Sequence, residues 1–212
     1  MKLAVFGATG KTGRVVVAQA LAGRHQIRAL VRSPERAGFP AEVEIVRGDV
    51  RDTEAVDNTI NGAEAIVSCL GAPLLQTFTA DGRVNTYGMP NIVSAMRSHG
   101  VKRIVAMSSY GAGDSFHRMS AMMRFGMSTV MHGALADMNA LEEILHASQL
   151  DWTVVRPVNL RNGPSRHRLA VDRPGLIFAN DWATRTDVAA FMLASLGDTP
   201  TIRRVLLLSE SP

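Results

Sequence analysis

The sequence predicts an α/β fold in which a doubly wound parallel sheet carries helices on both faces. Three observations support this prediction. Short apolar runs alternate with segments of helical periodicity along the chain, which is typical of strands connected by helices. Glycine, proline or asparagine follows most of these segments, where a strand or a helix has to end. Neither a linker, a repeat nor a low-complexity stretch interrupts the 212 residues, so we expect one domain over residues 1–212.

The individual elements follow from the same patterns. The apolar runs predict strands over residues 2–6, 26–32, 43–47, 65–70, 103–108, 152–156 and 205–209. The helical periodicity predicts a first helix that ends near Gly23, and further helices over residues 53–60, 81–98, 135–147 and 186–196. A kink is expected near Pro90, because proline lacks the amide hydrogen that a helix interior uses. Beyond Pro157 we expect a polar loop and a small elaboration on the substrate side.

The charge of the chain raises the question of nucleic acid binding, since the formal net charge is +4 and the pI is about 9.8. Nucleic-acid-binding proteins concentrate basic charge on one face and add aromatic side chains. Here the basic residues are scattered and aromatic residues make up only 5% of the chain, so no nucleic acid partner is expected. One basic cluster is either a surface loop or a clamp for an anionic group of a substrate: Arg161, Arg166, Arg168 and Arg173.

Cysteine usage and hydropathy bear on the compartment. Cys69 is the single cysteine, so nothing indicates an oxidising environment. The sequence shows no signal peptide and no run approaching the ~18 apolar residues of a membrane span. We therefore expect a cytoplasmic protein, monomeric or homodimeric, that does not enter a membrane. The spacing of the six histidines is not typical of a metal site, and no metal is predicted.

A glycine-rich turn separates the first strand from the first helix, and this is the context of a dinucleotide-binding turn. Gly7 permits the tight turn, Gly10 lets backbone amides approach a diphosphate, and Gly13 permits close packing of helix and strand. A purely structural turn is the alternative. A P-loop for ATP or GTP is excluded, because Val5 stands where that motif requires its first glycine. The predicted contacts of the pyrophosphate are Gly7, Thr9, Gly10, Lys11, Thr12 and Gly13.

The end of the second strand distinguishes the two nicotinamide cofactors. An NAD site places a carboxylate there for the ribose 2′-hydroxyl, whereas a cation accommodates the 2′-phosphate of NADP. Arg32 and Ser33 occupy this position, and no acidic residue stands beside them. A guanidinium forms charge-assisted hydrogen bonds to phosphate, and a serine hydroxyl adds another. We predict NADP as the cofactor, the alternative being that Arg32 is an ordinary surface arginine.

With these features, the chain resembles the atypical short-chain dehydrogenases/reductases, a Rossmann-type group. It is most similar to their biliverdin-IXβ/flavin reductase branch, with the NmrA-like regulators nearby. The matching stretches cover nearly the whole chain and read FGATGKTG at 6–13, LVR at 30–32, GDV at 48–50, LG at 70–71, NIVSAMRSHGV at 91–101, SS at 108–109 and RP at 156–157.

The resemblance implies roles for six further residues. It implies that Asp49 and Val50 lie beside the adenine and that Leu70 and Gly71 flank the nicotinamide ribose. It also implies that Ser108 and Pro157 line the nicotinamide pocket. These positions lie at or just past the carboxyl ends of predicted parallel strands, where open α/β sheets bind their ligands.

The usual acid–base pair of the wider superfamily, a tyrosine with a lysine four residues later, is missing. Asn91 follows Tyr87 at that distance and Asp114 follows Tyr110, and no lysine occurs after Lys102. The helix that usually carries the lysine, over residues 136–145, has other side chains in its place: Asp137, Met138 and Glu142.

These residues favour a reductase whose cofactor supplies the chemistry. We predict a flat conjugated acceptor such as a flavin, quinone or tetrapyrrole, with Ser109 as an orienting hydroxyl or a loop cap, and Tyr110 as the other candidate proton donor. Asn159 replaces the histidine of the biliverdin branch, which weakens the match to that substrate. The Met-rich segment 119–131 either packs on the core or a partner subunit, or forms an adaptable apolar wall for the acceptor. The rival hypotheses are a non-catalytic NADP(H) sensor resembling the NmrA-like regulators, and an isomerase or dehydratase.

Overall fold

The chain folds around a central β-sheet. The computed structural model describes residues 1–72, 79, 82–167, 169–172 and 181–210. The strands within these ranges are β1 (Lys2–Phe6), β2 (Gln26–Val31), β3 (Val43–Arg47), β4 (Ala65–Ser68), β5 (Arg103–Met107), β6 (Asp151–Pro157), β7 (Asn159–Arg161), β8 (Leu169–Val171), β9 (Trp182–Thr184) and β10 (Arg204–Glu210).

Eight of these strands form one sheet, in the order β3-β2-β1-β4-β5-β6-β10-β8. All neighbouring strands are parallel except β10 and β8, which are antiparallel. From β1 the chain builds outward first to β3 and then, through β4, in the other direction. This doubly wound order confirms the predicted Rossmann-type α/β fold. β7 and β9 form a separate parallel pair.

Helices cover both faces of the sheet. They are α1 (Lys11–Ala22), α2 (Thr53–Ile60), α3 (Val84–Ser98), α4 (Ala121–Val130), α5 (His132–His146) and α6 (Arg185–Ser195). α1 packs against α6 over one apolar core, while α3 packs against both α2 and α5 over the other. Successive strand residues point to opposite faces. Leu3 and Val5 of β1 accordingly belong to the first core, and Ala4 and Phe6 to the second.

The structure differs from the sequence predictions mainly at the ends of elements. β2 and β5 end one residue earlier than predicted and β4 ends two residues earlier. α5 begins at His132, three residues before the predicted start. α3 runs through Pro90, whose side chain is exposed, and the first residue predicted for this helix, Asp81, lies outside the described residues. β7, β8 and β9 were not predicted, because three residues are too few to display a strand's alternation.

Candidate cofactor and substrate site

The glycine-rich turn has a geometry that side chains would prevent. Gly7 has φ +72°, and a Cβ atom there would lie 2.4 Å from the carbonyl oxygen of Cys69. A Cβ on Gly13 would lie 2.2 Å from the carbonyl oxygen of Gly7. A Cβ on Gly10 would meet only that same oxygen, at 3.2 Å. Gly7 and Gly13 thus bring the start of α1 close to β1 and β4, as the spacing predicts, while Gly10 keeps the turn's outer side open.

The start of α1 offers unused hydrogen-bond donors. The first hydrogen bond of the helix runs from the amide of Arg14 to the carbonyl of Gly10, at 2.9 Å. The amides of Lys11, Thr12 and Gly13 precede it and have no acceptor within the helix. Gly10 provides no side-chain cap, and the first turn contains no acidic residue. Partial positive charge at such a helix start binds anions, so these residues fit a diphosphate.

Arg32 directly follows β2 and is exposed. Its guanidinium makes neither a hydrogen bond nor an ion pair with the part of the chain that the structure describes. Three neighbouring arginines are occupied: Arg14 donates to the carbonyl of Ala37 at 2.7 Å, Arg28 pairs with Glu44 and Arg47 pairs with Glu35. Ser33 is half-buried beside Arg32. Arg32 is therefore a cation at this strand end that is available to an anion, as is the exposed Arg36 four residues later.

Asp49 and Val50 lie in the turn after β3. The Asp49 carboxylate accepts a hydrogen bond from the amide of Arg51 at 3.0 Å. The side-chain amide of Asn91, on α3, donates to the carbonyl of Val50 at 3.0 Å. Gly88 lets α3 approach this turn, because a Cβ atom there would lie 2.4 Å from a methyl group of Val50. Sequence analysis missed the role of Gly88, since its partner lies 38 positions away and leaves no local pattern.

The residues predicted to bind the cofactor lie along one edge of the sheet, at the carboxyl ends of the parallel strands. Phe6 is in register with Ser68, Ser68 with Ala106, and Met107 with Val155, so the parallel strands end side by side. Gly71, just past β4, is exposed. With the sheet order given above, the residues at or just past these strand ends lie side by side in the order Asp49, Arg32, Gly7, Leu70, Ser108 and Pro157.

Ser108 belongs to a buried ion-pair network. Its hydroxyl donates to the Glu142 carboxylate at 2.7 Å. Arg156 holds both oxygens of this carboxylate, from Nε at 2.9 Å and from Nη2 at 2.6 Å. All three side chains are buried. The sequence predicted strand ends at Ser108 and Arg156 and a helix around Glu142, but it did not indicate that these three side chains form hydrogen bonds with each other.

The same arginine fixes the loop after β5. Its Nη1 donates to the Asp114 carboxylate at 2.5 Å, and this hydrogen bond lowers the pKa of Asp114. Burial alone would lower the pKa of Arg156, but its hydrogen bonds to Glu142 and Asp114 raise it. The amide of Gly113 donates to Asn139 Oδ1 on α5 at 2.8 Å. The loop is thus attached to both β6 and α5.

Asp137, the other buried acid on α5, has a structural role. Its carboxylate accepts hydrogen bonds from the backbone amides of Asn85 and Thr86 and from both of their side chains, at 2.8–3.1 Å. It therefore caps the start of α3 from a different helix. The two buried acids on the helix that usually carries the lysine, Asp137 and Glu142, are thus engaged in internal contacts, and neither is a free base.

The two candidate catalytic residues differ in exposure. Ser109 is half-buried, and its hydroxyl makes no hydrogen bond within the described ranges. The Tyr110 side chain is only 7% exposed and belongs to the same core as Met119. The backbone amide of Tyr110 donates to the carbonyl of Pro157 at 3.1 Å. Of the two, Ser109 is the more accessible to a substrate.

The Met-rich segment forms helix α4 together with its flanking turns. Met119 is buried, and Met123 and Met127 pack on the same core. Met122 and Phe125 point outward and are 82% and 73% exposed. The segment thus has one packed face, in line with the first of its two interpretations, while its predicted role as a substrate wall stays a prediction.

The arginine cluster after β6 is partly neutralised. Arg161 donates to the Glu210 carboxylate, and Arg166 lies 4.0 Å from the same group. Arg168 and Arg173 lie outside the described residues. Asn159 is exposed. Arg161 thus lies in β7 rather than in a loop, and the role of the cluster as an anion clamp stays a prediction.

Membrane-spanning helices and metal-ligand clusters are both absent from the part of the chain that the structure describes. No helix there combines the length and the apolar character that crossing a membrane requires. No three or more histidine, cysteine or acidic side chains there cluster as metal ligands would.

Comparison with known proteins agrees with this geometry. The model of the NAD(P)H-binding family matches residues 7–199, and the chain belongs to that family. An uncharacterized chloroplastic protein of Arabidopsis thaliana is 33% identical over 178 residues, which are 77% of this chain; the chain spans 60% of that relative's length.

Solved structures confirm the fold. An anaerobilin reductase from Escherichia coli O157:H7 superposes with a TM-score of 0.79 at 22% identity, over all of both chains. A short-chain dehydrogenase/reductase from Veillonella parvula, solved in complex with NADP, has a TM-score of 0.81 at 17% identity, over 99% of this chain and 94% of that one. These structures confirm the predicted Rossmann-type fold, and the family match confirms the predicted NAD(P)-binding family.

Proposed function

We propose that this member of the NAD(P)H-binding family is an NADPH-dependent reductase of a planar, conjugated acceptor such as a flavin, a quinone or a tetrapyrrole. The observation that carries the proposal is the combination of an uncapped, acid-free start of α1 with Arg32 at the end of the neighbouring strand. This combination suits a dinucleotide that has both a diphosphate and a further phosphate on its adenosine ribose. Reductases among the structural relatives support the reaction class.

Each part of the site has a distinct task in this proposal. The amides of the glycine-rich turn would hold the diphosphate, and Arg32 with Ser33 would hold the 2′-phosphate. When bound, NADPH supplies a hydride. Ser109, the accessible hydroxyl beyond β5, would orient the acceptor by a hydrogen bond. Because Asp137 and Glu142 are engaged in internal contacts, neither is assigned as a proton donor, and an acceptor that takes its proton from water or from a hydroxyl suits the site.

The cofactor assignment is tested by calorimetry with NADPH and NADH. We expect NADPH to bind at least about tenfold more tightly, a difference of ~1.4 kcal/mol. Arg32→Ala should remove most of this difference and leave NADH affinity nearly unchanged. Arg24→Asn is the matched control. Arg24 lies before β2, at the opposite end of a six-residue strand that is ~20 Å long. Asparagine replaces it because asparagine tolerates the positive φ of this position. Equal affinities for the two cofactors in the wild type would contradict the assignment.

The reaction is tested by following NADPH oxidation with flavins, quinones and biliverdins. Turnover above background that falls in Ser109→Ala, but not in the surface variant Ser98→Ala, supports the reductase. Tight NADP(H) binding without turnover on any acceptor favours the non-catalytic sensor instead. Absence of NADP(H) binding at millimolar ligand would exclude both functions.

A further inference from the structure

A groove lies beside the predicted catalytic loop. The loop after β5 encloses it together with α4 and α5, and Gly111 and Gly113 line it two and four residues after Ser109. Its volume is about 320 Å³, at the lower end of the roughly 300–1,000 Å³ of small-molecule sites. The groove is therefore large enough for a flat ring system, and it is lined by the same loop that carries Ser109.

The polar groups of the groove are mainly hydrogen-bond donors. His117, in the loop after β5, and His132, at the start of α5, both line it, and neither imidazole makes a hydrogen bond within the described ranges. Asn139 accepts from the amide of Gly113 through Oδ1, which leaves its NH₂ group without an acceptor in the same ranges. Each imidazole has a donor N–H in either protonation state. Three donors therefore share one groove without acceptors of their own.

Apolar surface and charge complete the site. Phe116 and Leu135 line the groove, and the ring of Phe116 stands edge-on to His117, with centroids 6.0 Å apart. Among the described residues, no carboxylate lines it. The one acid among residues 111–132 is Asp114, which is paired with Arg156. An anionic group on a flat apolar body matches this lining, because hydrogen-bond donors without acceptors favour anions.

The groove is held in shape before any ligand binds. Asp114 is tied to the buried Arg156, and Gly113 to Asn139. A preorganised loop loses little conformational entropy on binding, which favours affinity.

We infer that this groove is the acceptor site, and that the acceptor is a planar ring system with a carboxylate or phosphate group that His117, His132 and Asn139 bind. This inference rests on the proposed function and names the substrate class for it. Phe116 and Leu135 contact the ring. Sequence analysis considered the histidines only as metal ligands and therefore missed this role.

The test compares FMN with riboflavin, which share the ring but differ in one phosphate. Their binding is followed by flavin fluorescence without any nicotinamide cofactor. We expect the wild type to bind FMN about tenfold more tightly than riboflavin. The double variant His117→Leu/His132→Leu should reduce this ratio to about one, because the phosphate loses two of its donors. His146→Leu is the matched control, since His146 lies at the far end of α5, ~21 Å along the helix from His132.

Circular dichroism and the melting temperature verify that the variants fold. Equal wild-type affinities for the two flavins, an unchanged ratio in the double variant, or no binding of either flavin at millimolar concentration would each overturn the inference. Because no nicotinamide is present, these outcomes are independent of NADPH binding. A protein that binds and oxidises NADPH but shows no preference for FMN would keep the proposed function and lose only the anionic acceptor site.

Discussion

Two parts of the molecule use polar groups in opposite ways. One is the cofactor edge, formed by the start of α1 and Arg32, and the other is the ion pair of Glu142 and Arg156 beyond β5. At the start of α1 the donors are backbone amides, which have no acceptor within the helix, and Arg32 has no partner among the described residues. Beyond β5, Glu142 of α5 and Arg156 of β6 are paired with each other. The start of α1 and Arg32 therefore present their donors to a ligand, whereas Glu142 and Arg156 use their charges to hold the protein together.

This difference determines what mutations should do. A change at the cofactor edge should mainly reduce ligand affinity, because the groups there have no internal partners. A change in the paired network should mainly reduce stability, because a buried charge without its partner is costly. The four predictions below test this distinction, from the largest expected effect to the smallest.

Glu142→Ala should have the largest effect on stability. It leaves the buried guanidinium of Arg156 without its main partner, a loss that costs about 3–5 kcal/mol in the free energy of unfolding. Urea denaturation measures it, with the exposed neighbour variant Glu143→Ala as a control expected to change stability by less than ~0.5 kcal/mol. The double variant Glu142→Leu/Arg156→Met should recover much of the loss. A cost below 1 kcal/mol for Glu142→Ala would contradict the structural role of the pair.

Asp137→Ala should follow, at about 2–3 kcal/mol. The substitution removes the acceptor for the amides of Asn85 and Thr86 at the start of α3. Asp57→Ala is the control, because Asp57 makes only a partly exposed pair with His99, worth roughly 0–1 kcal/mol. If the two variants unfolded at the same urea concentration, the capping role of Asp137 would be refuted.

Gly13→Ala should combine a moderate loss of stability with a large loss of binding. The added Cβ would lie 2.2 Å from the Gly7 carbonyl, and such overpacking costs about 1–3 kcal/mol. We expect NADPH affinity to fall at least about tenfold, ~1.4 kcal/mol, because the turn has to shift. Gly126→Ala on α4 is the control, since its Cβ would meet no atom within 4 Å and alanine should stabilise the helix by ~0.5–1 kcal/mol. Unchanged NADPH binding in Gly13→Ala would separate the turn from the cofactor.

Asp187→Asn should have the smallest effect at neutral pH, about 1 kcal/mol. Burial raises the pKa of Asp187, but hydrogen bonds from Ser165 and Thr184 outweigh it, so that the pKa lies below its usual 3.8. A carboxyl with a lowered folded-state pKa contributes stability above its unfolded value, and the contribution is lost as the pH falls through the folded value. The wild type should therefore lose its advantage over Asp187→Asn below about pH 4, as measured by melting temperature at pH 7 and at pH 3. A constant difference between these pH values would contradict the assignment.

Much of the fold and of the cofactor edge was predictable because the signals are local. Gly7 and Gly13 lie six positions apart in the glycine-rich turn, and Arg32 directly follows β2. Such local spacing is enough to predict their roles. Most predicted strands and helices agree with the structure to within a few residues. The substrate side was less predictable, because its contacts join residues far apart in the chain: Ser108 to Glu142 spans 34 positions and Asn85 to Asp137 spans 52.

The sequence by itself determined the α/β class, the glycine-rich turn and the cation at the end of β2. These properties depend on hydrophobic periodicity and on residues that are close in the chain. Only the tertiary structure decided that Asp137 and Glu142 serve as internal partners, that Gly88 admits α3 to the turn after β3, and that His117 and His132 face one groove. The physical reason is that burial and hydrogen bonding depend on distance in space, and a sequence without its fold does not contain these distances.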